Sequence, residues 1–260
     1  MATSAAGRRV TRGVGFGIDI GGSGIKGAPV DLAAGTFRED RLRIPTPQPS
    51  TPAAVADTVS TLVSHFADRA GSLPIGVTFP AVIQHGVART AANVDGAWVD
   101  TDVDALLTER LGRPVVVLND ADAAGLAETR YGAAKGVKGV VIVVTLGTGI
   151  GSALICDGEL VPNTEMGHIE VDGFDAESRA ADSARQREEL SWVKWAKRLQ
   201  RYFTAVENLF WPDLIVVGGG VSKKSDKFLP LLNLRTPIVP ASLLNDGGIV
   251  GAALYAAEHG

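Results

Sequence analysis

Two glycine-rich turns, each preceded by an apolar run, constrain the fold of this chain more than any other feature. The first lies in residues 17–27, which read GIDIGGSGIKG, and the second lies in residues 145–157, which follow the apolar run 140–144. With one residue skipped, both segments have the same order: a polar residue, an apolar residue, a glycine turn, a second strand and an aspartate. The sequence therefore predicts a chain built from two related halves.

Both turns have the composition of a phosphate-binding loop. Glycines permit a tight turn and leave backbone N–H groups open to phosphate oxygens. In the first turn Asp19 can hold Mg²⁺ directly or through water, and Lys26 can neutralise phosphate charge. A glycine hairpin turn without a ligand is the alternative for either turn alone. Together, the turns favour phosphate binding and an actin-like (ribonuclease-H-like) ATPase fold, with two α/β domains flanking a central cleft.

Predicted strands and helices alternate along the chain, which is typical of an α/β protein. The closing helix is expected to pack back on the first half, and no linker separates the halves. We therefore expect a small N-terminal domain of residues 14–121 plus 242–260 and a large domain of residues 122–241. The predicted strands are residues 15–20, 24–31, 36–44, 75–79, 114–118, 139–146, 150–156 and 214–217; the predicted helices are 51–69, 102–111, one from 120, stretches within 175–209, and 248–258.

Charge and composition argue against several classes of protein. A net charge of −4 gives no overall attraction to nucleic acid or to an anionic membrane. No apolar run is long enough to cross a bilayer, and residues 1–13 lack the apolar core of a signal peptide, so a cytoplasmic location is expected. The one cysteine, Cys156, rules out an intrachain disulfide and is expected to be a buried strand residue.

Asn119 and Asp120 follow the apolar run 115–118. Polar residues at the carboxyl end of a buried strand face the crevice in which α/β proteins bind ligands. A carboxylate there can accept the proton of a sugar hydroxyl as that hydroxyl attacks phosphorus. The alternative is that one of the two residues simply caps the helix that begins here.

A third polar cluster lies in residues 163–170, where Glu165, His168 and Glu170 occur close together. Such side chains supply both donors and acceptors, as the recognition of sugar hydroxyls requires. A zinc site and a solvated loop are the alternatives, although no cysteine or second histidine lies nearby to complete a zinc site.

Four motifs together resemble those of the bacterial ROK family, which comprises sugar kinases and sugar-responsive repressors. They are D-x-G-G-S-x-x-K at 19–26, L-N-D-A-D-A-A at 118–124, L-G-T-G-I-G at 146–151 and E-M-G-H at 165–168. The similarity extends over residues 14–257. Most members carry a zinc-binding cysteine cluster just after the Gly-His pair, and residues 171–177 lack it. We therefore expect no zinc at His168.

The missing cluster, the short chain and the segments 90–95 and 162–165 resemble the polyphosphate-using glucokinases of that family. The resemblance implies phosphoryl transfer from inorganic polyphosphate or ATP, with Mg²⁺, to the 6-hydroxyl of glucose, with mannose as a second acceptor in some members. It also implies a homodimer. By the same resemblance Asp120 is the general base; Asn93, Asn119, Glu165, His168 and Glu177 bind the sugar; and Gly21, Gly22, Ser23, Gly24, Lys26, Thr148, Gly149 and Gly219 bind phosphates.

A long polyphosphate chain also needs a line of positive charge beyond the two turns. Lys223 and Lys224, which follow the glycine turn 218–220, form one candidate. The other consists of Lys194, Lys197, Arg198 and Arg201, whose spacing places them on one helix face. Such a face is usually only solvated. We favour the segment 223–227, because the preceding glycine turn borders the adenosine pocket in nucleotide-using relatives.

Two other functions fit the same motifs. A ROK repressor is disfavoured because only about a dozen residues precede the first strand, which leaves no room for a helix-turn-helix. A phosphohydrolase of the exopolyphosphatase type, with water as the acceptor, is disfavoured by Glu165 and His168, since a hydrolase needs no sugar site.

Overall fold

The computed structural model describes residues 13–67, 73–91 and 94–260. Two β-sheets account for most of the strands. The first contains β1 (Val14–Gly21), β2 (Gly24–Asp31), β3 (Thr36–Phe37), β4 (Leu42–Ile44), β5 (Ile75–Phe79) and β8 (Val115–Asn119). The second contains β9 (Val140–Leu146), β10 (Ile150–Cys156), β11 (Glu159–Val161), β14 (Leu214–Gly218) and β15 (Ile238–Pro240). Two small hairpins pair β6 (Ile83–Gln84) with β7 (Val87–Ala88) and β12 (Glu170–Val171) with β13 (Phe174–Asp175).

The two sheets repeat one topology. Their strand orders are β3-β2-β1-β5-β8 and β11-β10-β9-β14-β15, with β4 added beside β2. In each sheet the first three strands of this order are antiparallel and the last three are parallel. The first glycine turn joins β1 to β2, and the second joins β9 to β10, so each turn closes an antiparallel hairpin at the same place in its sheet. The structure thus confirms the internal repeat predicted from the sequence.

Seven α-helices lie within the described ranges, with the following bounds: α1 (Pro52–His65), α2 (Val103–Leu111), α3 (Asp120–Tyr131), α4 (Ala176–Ala180), α5 (Asp182–Arg187), α6 (Trp192–Phe210) and α7 (Gly247–His259). Side-chain oxygens of Thr51, Asp102 and Ser191 accept backbone N–H groups at the starts of α1, α2 and α6, which accounts for where these helices begin. α6 buries Trp195, Leu199 and Tyr202 along one face, in a core shared with the second sheet.

α3 and α7 pack at backbone contact distance. A Cβ added to Gly17 of β1 would overlap the carbonyl oxygen of Ile249 in α7, and one added to Gly251 of α7 would overlap the carbonyl oxygen of Ala123 in α3. On the side of the second sheet, a Cβ on Gly125 of α3 would lie 2.6 Å from the Cβ of Ala153 in β10. The closing helix therefore packs on the first sheet, as predicted, and α3 lies between α7 and the second sheet.

Two sequence predictions differ from the structure. The single strand expected at 36–44 is two short strands, β3 and β4, which both pair with β2. The helical stretches expected within 175–209 are α4, α5 and α6. Cys156 is exposed, not buried. It is the last residue of β10 and follows the buried Ile155, so strand alternation turns its side chain away from the core. Within the described ranges no helix is both long and apolar enough to span a membrane.

We expect Gly17→Ala to destabilise the protein by about 1–3 kcal/mol or more, because the added methyl group would overlap the backbone carbonyl group of Ile249. Thermal unfolding measures the effect. Gly96→Ala is the matched control, since a Cβ at Gly96 meets nothing within 4 Å. An equal, small change in both variants would contradict the close helix packing described above.

Candidate active site

Asp19 lies at the centre of the first glycine hairpin. Its backbone pairs with that of Lys26, and Lys26 Nζ donates a hydrogen bond to Asp19 Oδ2 at 2.9 Å. Thr78 Oγ1, from the neighbouring strand β5, donates to Asp19 Oδ1 at 2.9 Å. Lys26 is thus held by Asp19, and both carboxylate oxygens of Asp19 have a partner. Thr78 was not found from the sequence, although a hydroxyl within the apolar segment 75–79 is a signal that could have identified it.

The first turn, residues 21–24, is held from β4 and the segment after it. Thr46 Oγ1 donates to the carbonyl oxygen of Gly21 at 2.5 Å, and the Arg43 guanidinium donates to the carbonyl oxygen of Ser23 at 2.8 Å. A Cβ on Gly24 would lie 2.6 Å from Arg43 Nε. Gly22 and Ser23 are exposed. Arg43 therefore adds a cation beside the turn that the sequence did not predict.

The second turn, residues 147–149, is bound by two side chains from α4 and α5. Glu177 Oε2 accepts the N–H of Ile150 at 2.7 Å, and Ser183 Oγ donates to the carbonyl oxygen of Thr148 at 2.6 Å. Gly219 lies against the same hairpin, with φ of +82°, and a Cβ there would overlap the backbone of Leu146. The structure therefore brings Thr148, Gly149, Glu177 and Gly219 together. The phosphate-binding roles of Thr148, Gly149 and Gly219 and the sugar-binding role of Glu177 stay predictions.

Asn119 and Asp120 form the junction of β8 and α3. Asn119 Oδ1 accepts the N–H groups of Ala121 and Asp122 at 2.8 and 3.2 Å, so Asn119 is the helix cap. Its Nδ2 donates to the carbonyl oxygen of Ala81 at 3.0 Å. Both polar ends of Asn119 are thus engaged within the protein, and the sugar-binding role expected for it stays a prediction.

Asp120 is the first residue of α3 and is exposed to solvent. Desolvation, followed by the negative charge of Asp19, raises the pKa of Asp120 to about 6. The N–H of Ala121, which donates to Asp120 Oδ1 at 2.9 Å, acts in the opposite direction and lowers this pKa. Glu165 adds a smaller repulsion in the same direction. A carboxylate with this pKa is ionised at neutral pH and remains basic enough to accept a proton, so this pKa suits a general base.

Glu165 and His168 lie on the segment after β11. Glu165 directly precedes the 3₁₀ turn Met166–His168, and His168 is the last residue of that turn. His168 Nδ1 is 2.8 Å from Asp175 Oδ2, and this hydrogen bond raises the pKa of His168 above its ordinary value. His168 Nε2 lies 4.0 Å from Glu165 Oε2. Burial raises the pKa of Glu165. Asp175, which orients the imidazole, was missed because nothing in the sequence distinguishes it from Asp172 nearby.

The two candidate polyphosphate segments differ in how far their charges are already paired. On α6, Arg198 binds Glu188 through two hydrogen bonds, and Arg201 binds Asp172 in the same two-bond manner. Lys223 and Lys224 are exposed on the 3₁₀ turn Gly220–Lys227, and no ion pair of theirs is formed with the described residues. Asn93, predicted to bind sugar, lies outside the described residues. In the described part of the chain, no three His, Cys, Asp or Glu side chains are grouped to hold a metal ion.

Comparison with known proteins gives one family. Residues 15–181 match the ROK family. The chain belongs to the ROK family. It is 54% identical over 253 residues to the polyphosphate glucokinase of Mycobacterium tuberculosis strain H37Rv, covering 97% of this chain and 94% of the relative.

Solved ROK structures have the same fold as this ROK-family chain. The inorganic polyphosphate/ATP-glucomannokinase from Arthrobacter sp. strain KM is 60% identical and superposes with a TM-score of 0.90, covering 94% of this chain and 98% of the other. A ROK family glucokinase from Streptomyces griseus, in complex with glucose and AMPPNP, is 24% identical, with a TM-score of 0.80 over 93% of this chain and 98% of the other, and shows the fold alone. The actin-like ATPase fold expected from the sequence is confirmed.

We expect Asp175→Asn to lower the pKa of His168, because a neutral amide replaces the carboxylate that stabilises the imidazolium. NMR titration of the imidazole resonances measures this. The protein has four histidines, and the resonances of His65, His85 and His259 serve as internal controls. An unchanged His168 pKa would contradict the hydrogen bond with Asp175.

Proposed function

We propose that this ROK-family protein is a glucokinase that transfers a phosphoryl group from inorganic polyphosphate or ATP to the 6-hydroxyl of glucose. The observation that carries the proposal is the position of Asp120. Asp120 follows β8, in which Leu118 is aligned through Thr78 of β5 with Asp19 of the first glycine hairpin. On its other side Asp122, two residues later, accepts the N–H of Asn163 in the segment that carries Glu165. The 54% identity to a polyphosphate glucokinase and the 60% identity to a polyphosphate/ATP-glucomannokinase support the same reaction.

In the proposed reaction Asp120 is the general base. Its pKa of about 6 leaves it ionised at neutral pH. It accepts the proton of the sugar hydroxyl as the hydroxyl oxygen forms a bond to the terminal phosphorus of the donor, and that proton ends on the Asp120 carboxylate. The bond between this phosphorus and the bridging oxygen of the donor breaks, and ADP or the shortened polyphosphate leaves with the electron pair. Glu165 and His168 hold other sugar hydroxyls, with the imidazole fixed by Asp175. Asn93, Asn119 and Glu177 are the remaining sugar-binding residues that we propose.

The donor phosphates are proposed to bind between the two glycine turns. Gly21, Gly22, Ser23 and Gly24 face them from the first turn, and Thr148, Gly149 and Gly219 from the second. Lys26 and Arg43 supply positive charge at the first turn, where Arg43 already contacts the Ser23 carbonyl group.

The residues present fit a magnesium ion at Asp19. Mg²⁺ binds one or two carboxylates and takes its other ligands from water and substrate phosphates. Asp19 is a partly exposed carboxylate beside the first turn, and the charge of Asp120 acts on the same region. When bound, Mg²⁺ would neutralise charge on the donor phosphates. Asp19 would hold it, directly or through water.

Four further features belong to this proposal. They are mannose as a second acceptor, a homodimer, a cytoplasmic location, and the division of the chain into domains 14–121 plus 242–260 and 122–241. The name of the Arthrobacter glucomannokinase supports the first. The two sheets of repeated topology support the last.

The central test is a rate measurement on the wild-type protein and Asp120→Asn, with glucose, mannose and fructose against ATP and polyphosphate. Wild-type protein should phosphorylate glucose, and Asp120→Asn should lower turnover by about 10²-fold or more, the low end for general base catalysis, while glucose still binds. Phosphate release without glucose would instead indicate a phosphohydrolase. Turnover of Asp120→Asn within a few-fold of wild type would exclude Asp120 as the base.

The same variant is expected to be more stable than the wild type at neutral pH. Because the pKa of Asp120 is raised in the folded protein to about 6, ionisation costs folding stability as pH rises through that value. The stability gain of Asp120→Asn should therefore be near zero below about pH 4 and complete above about pH 6. Thermal unfolding between pH 4 and 8, without Mg²⁺, measures it, and a gain independent of pH would contradict the raised pKa.

The polyphosphate path is tested by reversing charge at the segment 223–227. The double variant Lys223→Glu/Lys224→Glu should raise the apparent KM for long polyphosphate and flatten its salt dependence, with a smaller effect on ATP. Lys194→Glu/Lys197→Glu on α6 is the matched control, with the same change of charge on exposed lysines. An equal loss in both double variants, or an equal loss for both donors, would place the path elsewhere.

A further inference from the structure

Asn163 connects the two halves of the chain through its side chain. It follows β11 and precedes Glu165 by two residues. Its Oδ1 accepts the N–H of Ile83 at 2.8 Å, and its Nδ2 donates to the carbonyl oxygen of the same residue at 2.7 Å. Two residues in neighbouring antiparallel strands exchange bonds in this way. The carboxamide thus occupies the position of a strand partner for β6, which belongs to the first half.

The main chain of Asn163 is bound from another direction. Its N–H donates to Asp122 Oδ2 at 2.8 Å. Asp122 lies in the first turn of α3, two residues after Asp120, and only 1% of it is exposed. Asn163 is therefore a point at which β6, the start of α3 and the segment carrying Glu165 meet.

The residues that follow are fixed by Ser152 of β10. Ser152 Oγ donates to the carbonyl oxygen of Thr164 at 2.5 Å and accepts the N–H of Met166 at 3.0 Å. Glu165 is thus held on one side by Ser152, within the second half, and on the other by Asn163, which reaches the first half. Of these contacts, the two with Ile83 are the side-chain contacts that join the segment carrying Glu165 directly to a strand of the first half.

The backbone at residue 163 also suits asparagine. Its φ is +59°, in the left-handed region, where asparagine is several-fold enriched among non-glycine residues. In that conformation the side chain extends to Ile83 while the N–H faces Asp122. Glycine adopts the same backbone without strain and has no carboxamide, so it removes only the contact with Ile83.

We propose that Asn163 is a positioning residue for the sugar site: by binding the main chain of Ile83, it fixes Glu165 and His168 relative to the first half of the chain. This inference rests on the proposed function, since it assumes that Glu165 and His168 bind the acceptor sugar. Loss of the carboxamide loosens the sugar-binding segment, while the two glycine turns keep their own contacts. The effect therefore falls on the sugar and not on the phosphoryl donor.

The test compares Asn163→Gly with the wild type in glucose KM, donor KM, turnover and glucose binding by calorimetry. We expect about a tenfold or larger rise in glucose KM and Kd, with the KM for ATP and polyphosphate within about twofold. Hydrogen exchange should show the Ile83 amide protected in the wild type and unprotected in Asn163→Gly, a readout that needs no sugar.

Asp157→Gly is the matched control. Asp157 also has a positive φ, +51°, and its Oδ1 accepts the Gly139 N–H at 2.9 Å, at the end of the β9–β10 hairpin opposite the glycine turn. This variant should lose comparable stability with no change in glucose KM. If Asn163→Gly loses stability but keeps glucose affinity within twofold, or weakens glucose and donor equally, Asn163 is only structural. A wild-type protein that is inactive with glucose would contradict the proposed function, whereas an active wild type with an unaffected variant contradicts this inference alone.

Discussion

The site depends on the close passage of α3 and α7 between the two sheets. Main-chain atoms of Ile249 and Ala123 contact glycines in β1 and α7, so both sides of each contact are backbone and neither can move aside as a side chain can. Through α7 these contacts fix the start of α3, and hence Asp120, relative to β1 and Asp19. Gly125 brings α3 close to the Ala153 side chain of β10, the second strand of the hairpin that contains the second turn. One packing constraint thus sets Asp120, the proposed base, relative to both glycine turns.

This geometry gathers negative charge, which the protein only partly compensates. Desolvation, followed by the charges of Asp19 and Glu165, raises the pKa of Asp120 to about 6. Desolvation, followed by the charges of Asp120 and Glu165, raises the pKa of Asp122 to about 7. Lys26 pairs with Asp19, and the raised pKa of His168 favours a positive charge near Glu165. Donor phosphates would add further negative charge. The arrangement is therefore unfavourable for folding and favourable for binding cations, which is consistent with the magnesium ion proposed at Asp19 and with Arg43 beside the first turn.

The sequence predicted those parts of the site that rest on local pattern. The glycine turns, the strand leading to Asp120 and the repeated topology follow from glycine spacing and apolar runs of the kind that specify hairpins and buried strands. Thr78 and Asn163 were missed because their partners, Asp19 and Ile83, are 59 and 80 residues away. The spacing of basic residues along α6 predicted its basic face. It did not predict that Arg198 and Arg201 pair with Glu188 and Asp172, because these carboxylates lie outside that helix. Asp175 lies only seven residues from His168, yet a hairpin turn brings them together, and the spacing alone did not indicate it.

The contacts of Glu177 and Asn163 show how the segments proposed to bind the sugar and the donor phosphates are held in place. Glu177 holds the second glycine turn through Ile150, and α4, which carries it, follows directly from the hairpin that provides Asp175 for His168. The proposed sugar-binding segment and the second turn are therefore neighbours along the chain, but each has its own contacts. Asn163 attaches the segment that carries Glu165 to the first half, beside the start of α3, whereas Glu177 and Ser183 hold the second turn within the second half. The proposed sugar and phosphate sites are thus fixed by different side chains, which is why loss of one set of contacts is expected to weaken one substrate more than the other.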